Sequence, residues 1–344
     1  MRESSQYSKS GVYLSGASGG AGALAFRATL KEMLSLDRRS ALGVLLGAAA
    51  APALRASTTS LQVGGGAIEV SLEPDGFDLA EGTLLDWVKQ CAVAVSGYFG
   101  RFPVEKARIR IVSTERKGVT NGRSFGERGP HCRISVGRNV TVSDLKEDWM
   151  LTHEMIHFGF PNVPEDNHWI EEGTATYVEP IARARAGTLS VTQTWFEMVR
   201  DMPKGLPAAG DQGLDHTHTW GRTYWGGALF CLVADVEIRK RTANGKGLED
   251  ALRAINRAGG TIDADWPLER AFEVGDKATG VKTLMELYEK MRSAPVMVDL
   301  PDLWKQLGIE RRDRTVVFDD HATLAAVRKS IISRDEQAKA RSAA

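Results

Sequence analysis

The chain has 344 residues, 42% apolar and 26% charged, the balance of an ordinary globular protein rather than of a disordered chain. Its 44 lysines and arginines match 44 aspartates and glutamates, so the formal net charge is zero and the basic excess typical of nucleic-acid binding is missing. Three cysteines, Cys91, Cys132 and Cys231, are too few for a disulfide framework, and without a C-x-x-C pair they argue against a cysteine zinc site.

Residues 1–32 are Ser-, Gly- and Ala-rich and carry little information. Arg38 and Arg39 then precede an apolar run at 43–54, too short to span a bilayer comfortably. A paired arginine ahead of such a run reads as an export signal of the twin-arginine type. Small residues near 53–57 offer a cleavage region, and Met33 stands where an initiator would be expected. Residues 1–56 are therefore read as an N-terminal extension with a signal. The expected destination is a bacterial periplasm or the extracellular space, with no stable membrane span once the signal is removed. The alternative is an uncleaved N-terminal anchor.

From residue 57 the pattern becomes that of a folded protein. Residues 67–72 alternate apolar and polar, the mark of a half-buried strand. Residues 79–99 carry Leu84, Leu85, Val88, Ala92 and Val95 at helical spacing. A second strand is expected over 107–112, a Gly-rich polar loop over 114–132 and a third strand over 133–136. Cys91 and Cys231 sit in apolar runs and read as small buried hydrophobes. Residues 57–140 thus form the α/β part of an α+β fold, a small mixed sheet ahead of a mostly helical lobe at 141–332.

That lobe opens with a helix expected to start at Ser143 or Asp144, with Glu147 three residues after Asp144, and to run to about 158. It is apolar nearly all round, through Leu145, Trp149, Met150, Leu151, Met155, Ile156 and Phe158, and hence buried. On it lies His153-Glu154-Met155-Ile156-His157. Residues four apart share a helix face, about 6 Å apart along the axis, so two imidazoles can grip one Zn²⁺. Glu154 between them can act on a water at that ion. Polar groups on a buried helix are costly unless partnered, and a metal satisfies them most economically. A catalytic zinc needs a third ligand and one open position.

After a turn-rich loop at 159–167 a second helix begins with WIEEGTATYVE at 169–179. Four residues compete for third ligand: His168, Glu171, Glu172 and Glu179. Glu172 and Glu179 are seven apart and share a face, while Glu171 points about 100° away. Spacing alone leaves the choice open.

The remainder reads as helical, with helices expected over 191–202, 247–258, 266–274, 281–291, 300–308 and 321–332, and a short strand over 315–318. His216 and His218, in a Gly/Pro/Asp loop at 203–218, read as an exposed pair. Tyr224 stands at the start of an apolar helix containing Ala228, Leu229, Phe230, Leu232 and Val233. The charged tail at 333–344 is expected to fray.

The HExxH helix, the loop and WIEEGTATYVE together resemble the gluzincin metallopeptidases, most closely the aminopeptidase-N-like and glycyl-aminopeptidase-like branch. Its pattern, W-[ILV]-x-E-G-x-A-x-Y-x-E, is matched at every anchoring position. The resemblance implies a thermolysin-like catalytic domain and one Zn²⁺ held by His153, His157 and Glu172. It implies Glu154 as general base and acid, and Glu179 as a residue hydrogen-bonded to a ligating histidine. Tyr177 is expected to pack near the site. Tyr224-Trp-Gly-Gly-Ala228 resembles the family's Y-x-x-G-A element, which implies that Tyr224 donates to the oxyanion. The G-x-M-E-N element, whose Glu holds a substrate's free amine, has no counterpart here. Arg123 and Glu127 are the charged residues near its expected place. The implied function is an exported zinc metallopeptidase acting on peptides or proteins, endo- or aminopeptidase unresolved. The alternatives are a non-proteolytic zinc-containing binding or cell-envelope protein on the same fold, and hydrolysis of a non-peptide amide or epoxide.

Overall fold

The computed structural model describes residues 57–73 and 76–333. The expected export signal lies outside the described residues, as does the charged tail beyond Ser333. Alternation builds the sheet. Strand β1 (Ser57–Val63) pairs antiparallel with β2 (Gly66–Leu72), which buries Ile68, Val70 and Leu72. Helix α1 (Glu81–Phe99) then crosses the inner face, its Leu84, Val88, Ala92 and Val95 sharing one core with the strands. It stops at Gly100, whose φ of 78° is the left-handed conformation that ends helices. Strand β3 (Lys106–Thr114) buries Ala107, Ile109 and Ile111.

The segment expected as a loop over 114–132 contains a strand, β4 (Val119–Phe125), which pairs antiparallel with β5 (His131–Gly137). The sheet order β1-β2-β3-β5-β4, with parallel β2/β3 and β3/β5 pairs between antiparallel edges, makes the expected mixed sheet. The two strands of this sheet not expected from the sequence are its two edges, where one side of the ladder is open and apolar alternation is not required. On the outward face Arg110 pairs in register with Arg133, and Arg133 with Arg123, placing three arginines in one cross-strand row.

The helix expected from Ser143 or Asp144 to about 158 is two helices. Thr141, not Ser143 or Asp144, caps α2 (Val142–Glu147). Its Oγ1 accepts from Asp144 N at 3.1 Å while the Asp144 carboxylate accepts from Thr141 N at 2.8 Å. Asp148 then restarts the chain, its carboxylate accepting from Met150 N at 3.0 Å and Leu151 N at 3.1 Å to open α3 (Met150–His157). A short 3₁₀ turn (Glu165–Asn167) leads into α4 (His168–Ala186), which is buried along most of its length and ends at Gly187.

Helix α5 (Val191–Asp201) is followed by a 3₁₀ turn (Met202–Gly205), and a π-helical turn (Gly221–Gly226) runs directly into α6 (Gly227–Arg241). The chain finishes with α7 (Leu248–Arg257), α8 (Leu268–Thr279), α9 (Thr283–Met291), α10 (Leu300–Leu307), the hairpin β6 (Ile309–Arg312) and β7 (Thr315–Phe318), and α11 (Ala325–Ile332). The helix expected from 321 begins at Ala325, because Asp319 first closes a turn on the His321 N–H. All three cysteines are buried and unpaired. No described helix is long and apolar enough to cross a membrane.

The contact that matters most for the site joins α4 to α6. A Cβ on Gly173 would fall 2.3 Å from both Cα and C of Gly227, and a Cβ on Gly227 would fall 2.0 Å from the Trp169 carbonyl oxygen. The two backbones touch there, one residue after Glu172 and three after Tyr224.

Candidate metal centre

Helix α3 presents His153 and His157 toward α4, and α4 answers with Glu172. His153 Nε2 lies 3.1 Å, and His157 Nε2 3.7 Å, from Glu172 Oε2. One ligand atom from each of the three lies within 4.8 Å of the others. His153 and Glu172 are buried and His157 is half-buried. Two imidazole nitrogens and one carboxylate oxygen converging in a largely buried site are a donor set that suits Zn²⁺ with one position left for water or substrate.

The four candidates for third ligand are separated by their partners. Glu171 Oε1 accepts from Val163 N at 2.9 Å and its Oε2 lies 2.5 Å from His168 Nδ1, so this carboxylate ties the preceding loop to α4. His168 Nε2 lies 3.4 Å from Glu172 Oε1. Glu179 departs from expectation. Its Oε1 accepts from Arg183 Nη1 at 2.9 Å, one helical turn on, rather than from a ligating histidine. Tyr177 is fully buried, but its hydroxyl donates to Asp235 of α6 at 2.9 Å.

Charge follows this arrangement. Against the penalty of burial, the positive field of His157 and hydrogen bonds from His153, His157 and His168 hold Glu172 well below the usual carboxylate range. Burial raises Glu154 above its ordinary value, with His157 and His153 pulling the other way. Burial pushes Glu179 up to about 7 despite Arg183.

Glu154 is held from the sheet, which sequence reasoning missed. Ser124 Oγ on β4 lies 2.8 Å from Glu154 Oε2 and 2.7 Å from its backbone oxygen, so one hydroxyl proton is shared between them. Gly122, two residues earlier on the same face, lets the strand close in: a Cβ there would meet Glu154 Cγ at 2.6 Å. Nothing in TNGRSF announces this role. Asp215 was missed as well. It accepts from Trp169 Nε1 at 2.8 Å, Asn167 Nδ2 at 3.0 Å and Tyr288 Oη at 2.9 Å, clamping the start of α4. His216 and His218 beside it are exposed, as expected.

Tyr224 arrives on the π-helical turn. Its ring stacks beside His153 at 6.4 Å and 21°, with Trp220 behind it at 5.9 Å and 28°. Trp149 meets His153 edge-on at 5.5 Å.

No family model matches this sequence, and a search of curated proteins finds no match. Solved structures do match. A protein of the aminopeptidase N family from Idiomarina loihiensis superposes with a TM-score of 0.56 at 12% identity, over 74% of this chain and 49% of that one. The fold is that of the aminopeptidase N family structure. An M1 zinc metallopeptidase from Deinococcus radiodurans superposes more loosely, with a TM-score of 0.47 at 15% identity, over 72% of this chain and 53% of that one. The chain spans about half the length of the structures it matches. Within this aminopeptidase-N-like fold, α4 and the π-helical turn ahead of α6 bring Glu172 and Tyr224 to His153.

Proposed function

We propose that this chain is a zinc-dependent peptidase that hydrolyses peptide bonds. The observation that carries the reading is the convergence of His153, His157 and Glu172 beside the buried Glu154. When bound, the zinc ion supplies a positive centre that polarises the scissile carbonyl and acidifies water. Glu154 takes the proton from the attacking water and returns it to the leaving nitrogen. Ser124 and Gly122 fix the carboxylate for that work. The phenol of Tyr224, on the ligand side of the site, donates to the oxygen that becomes negative as the carbonyl is attacked.

Strand β4 is the edge of the sheet beside Glu154, so its open side suits an extended peptide backbone. Its sequence, VTNGRSF, has no carboxylate to receive a substrate ammonium. The paired arginines at 38 and 39 with the apolar run after them support export ahead of function.

Purified chain from residue 57 onward is expected to carry one zinc and to cleave a mixed peptide library, with product ends reporting where it cuts. Zinc without cleavage would replace this reading with a binding protein on a peptidase fold, and no zinc would end it. Tyr224→Phe is expected to retain zinc and lose about 10²–10³ in kcat, the usual effect of removing one oxyanion donor. An unchanged kcat in that variant would assign the tyrosine to packing.

A further inference from the structure

We propose that His168 is a positioning residue that holds the outer oxygen of Glu172 and thereby fixes which oxygen faces the metal. The inference rests on the zinc reading above. Glu172 has two oxygens in different surroundings. Oε2 faces the Nε2 atoms of His153 and His157 at 3.1 and 3.7 Å, and Oε1 faces His168 Nε2 at 3.4 Å. His168 is not itself in the converging set, which comprises His153, His157 and Glu172.

The imidazole is held at its far end. His168 Nδ1 lies 2.5 Å from Glu171 Oε2, and Glu171 Oε1 accepts the Val163 N–H at 2.9 Å. The chain of contacts therefore runs from a backbone amide in the loop, through Glu171 and His168, to the oxygen of Glu172 turned away from the two ligating histidines. His168, Glu171 and Glu172 stand three and four residues apart in the first turn of α4, the spacings at which helical side chains meet.

This has a consequence for coordination. A carboxylate free to rotate can offer a metal both oxygens and fill the position that water or substrate needs. Engaging Oε1 from outside leaves Oε2 as the single ligand atom and keeps the fourth position open. The two glutamates at 171 and 172 thus divide the work, one orienting the histidine and the other receiving it.

The test uses zinc affinity, measured on the full chain by competition with a chromophoric chelator, in His168→Phe, His168→Asn and His168→Gln. A glutamine amide nitrogen reaches about as far as Nε2, toward Glu172, and an asparagine amide about as far as Nδ1, toward Glu171. His168→Phe is expected to weaken zinc binding about 10–100-fold, the usual effect of removing support from a ligand. His168→Gln is expected to recover most of that loss and His168→Asn little of it. The visible spectrum of the cobalt-substituted proteins should follow the same order, because it reports coordination number and geometry. Equal affinities in the Asn and Gln variants, or wild-type affinity in the Phe variant, would overturn the assignment. If the Phe variant does not fold, the Asn and Gln comparison decides alone. Failure of wild type itself to bind zinc would instead remove the reading on which the inference rests.

Discussion

Glu154→Gln is expected to lower kcat by about 10²–10⁴-fold while zinc stays bound at wild-type affinity. The amide matches the carboxylate in shape, so Ser124 Oγ can still bond its oxygen and Gly122 still passes it without a clash. What is lost is a group that accepts a proton from water and gives it up to the leaving nitrogen. The three residues of the metal centre are untouched, which separates this variant from loss of the ion. Metal analysis beside steady-state kinetics on one cleaved library peptide makes the measurement. Retained turnover would show that another base does the work, and lost zinc would show that Glu154 shapes the centre rather than the proton transfer.

Gly227→Ala is expected to produce a large loss of stability. The new carbon would lie 2.0 Å from the Trp169 carbonyl oxygen and 2.7 Å from Gly173 Cα. Both are backbone atoms of α4, so no side chain can swing away, and the strain is relieved only by parting α4 from α6. Overpacking of this kind typically costs about 1–3 kcal/mol, and contact with backbone atoms at two positions of α4 places this case at or above the upper end. The denaturation midpoint should fall accordingly, and zinc affinity with it, because Glu172 rides on the displaced segment. Gly82→Ala is the control. That glycine lies in the first turn of α1 with nothing within 4 Å of its missing Cβ, so the substitution should be neutral or stabilise by about 0.5–1 kcal/mol. A Gly227→Ala midpoint equal to wild type would mean that the helices are not packed as described.

The metal centre was legible because helical spacing is a local property. His153, Glu154 and His157 are defined by one helix, and no knowledge of the rest of the chain is needed to put the two histidines on one face with Glu154 between them in sequence. Glu172 was not chosen by spacing. It became the third ligand by resemblance, and the structure separates it from Glu171 and His168 through partners that lie across a loop. The reading of Glu179 went astray where local chemistry was available: Arg183 four residues on is an ordinary helical ion-pair partner. The break at Asp148 was hidden because apolar residues continue on both sides of it, and only the carboxylate's bonds to two amides reveal a second start. Strand β4 was illegible for a different reason. An edge strand that is half-buried at every residue but the exposed Asn121 needs no apolar alternation, and the functions of Gly122 and Ser124 exist only after the strand is laid against α3.

The outward face of the sheet bears on how the molecule meets charged surroundings. Arg110, Arg133 and Arg123 stand side by side on adjacent strands, and like charges directly opposite one another are unfavourable. In a chain of zero formal net charge such a row gives one face a local positive potential without changing the total. Far away the protein looks neutral; within a Debye length of about 8 Å at physiological salt, that face attracts anions. Dissolved salt therefore acts on this face first, where it relieves the repulsion between the arginines.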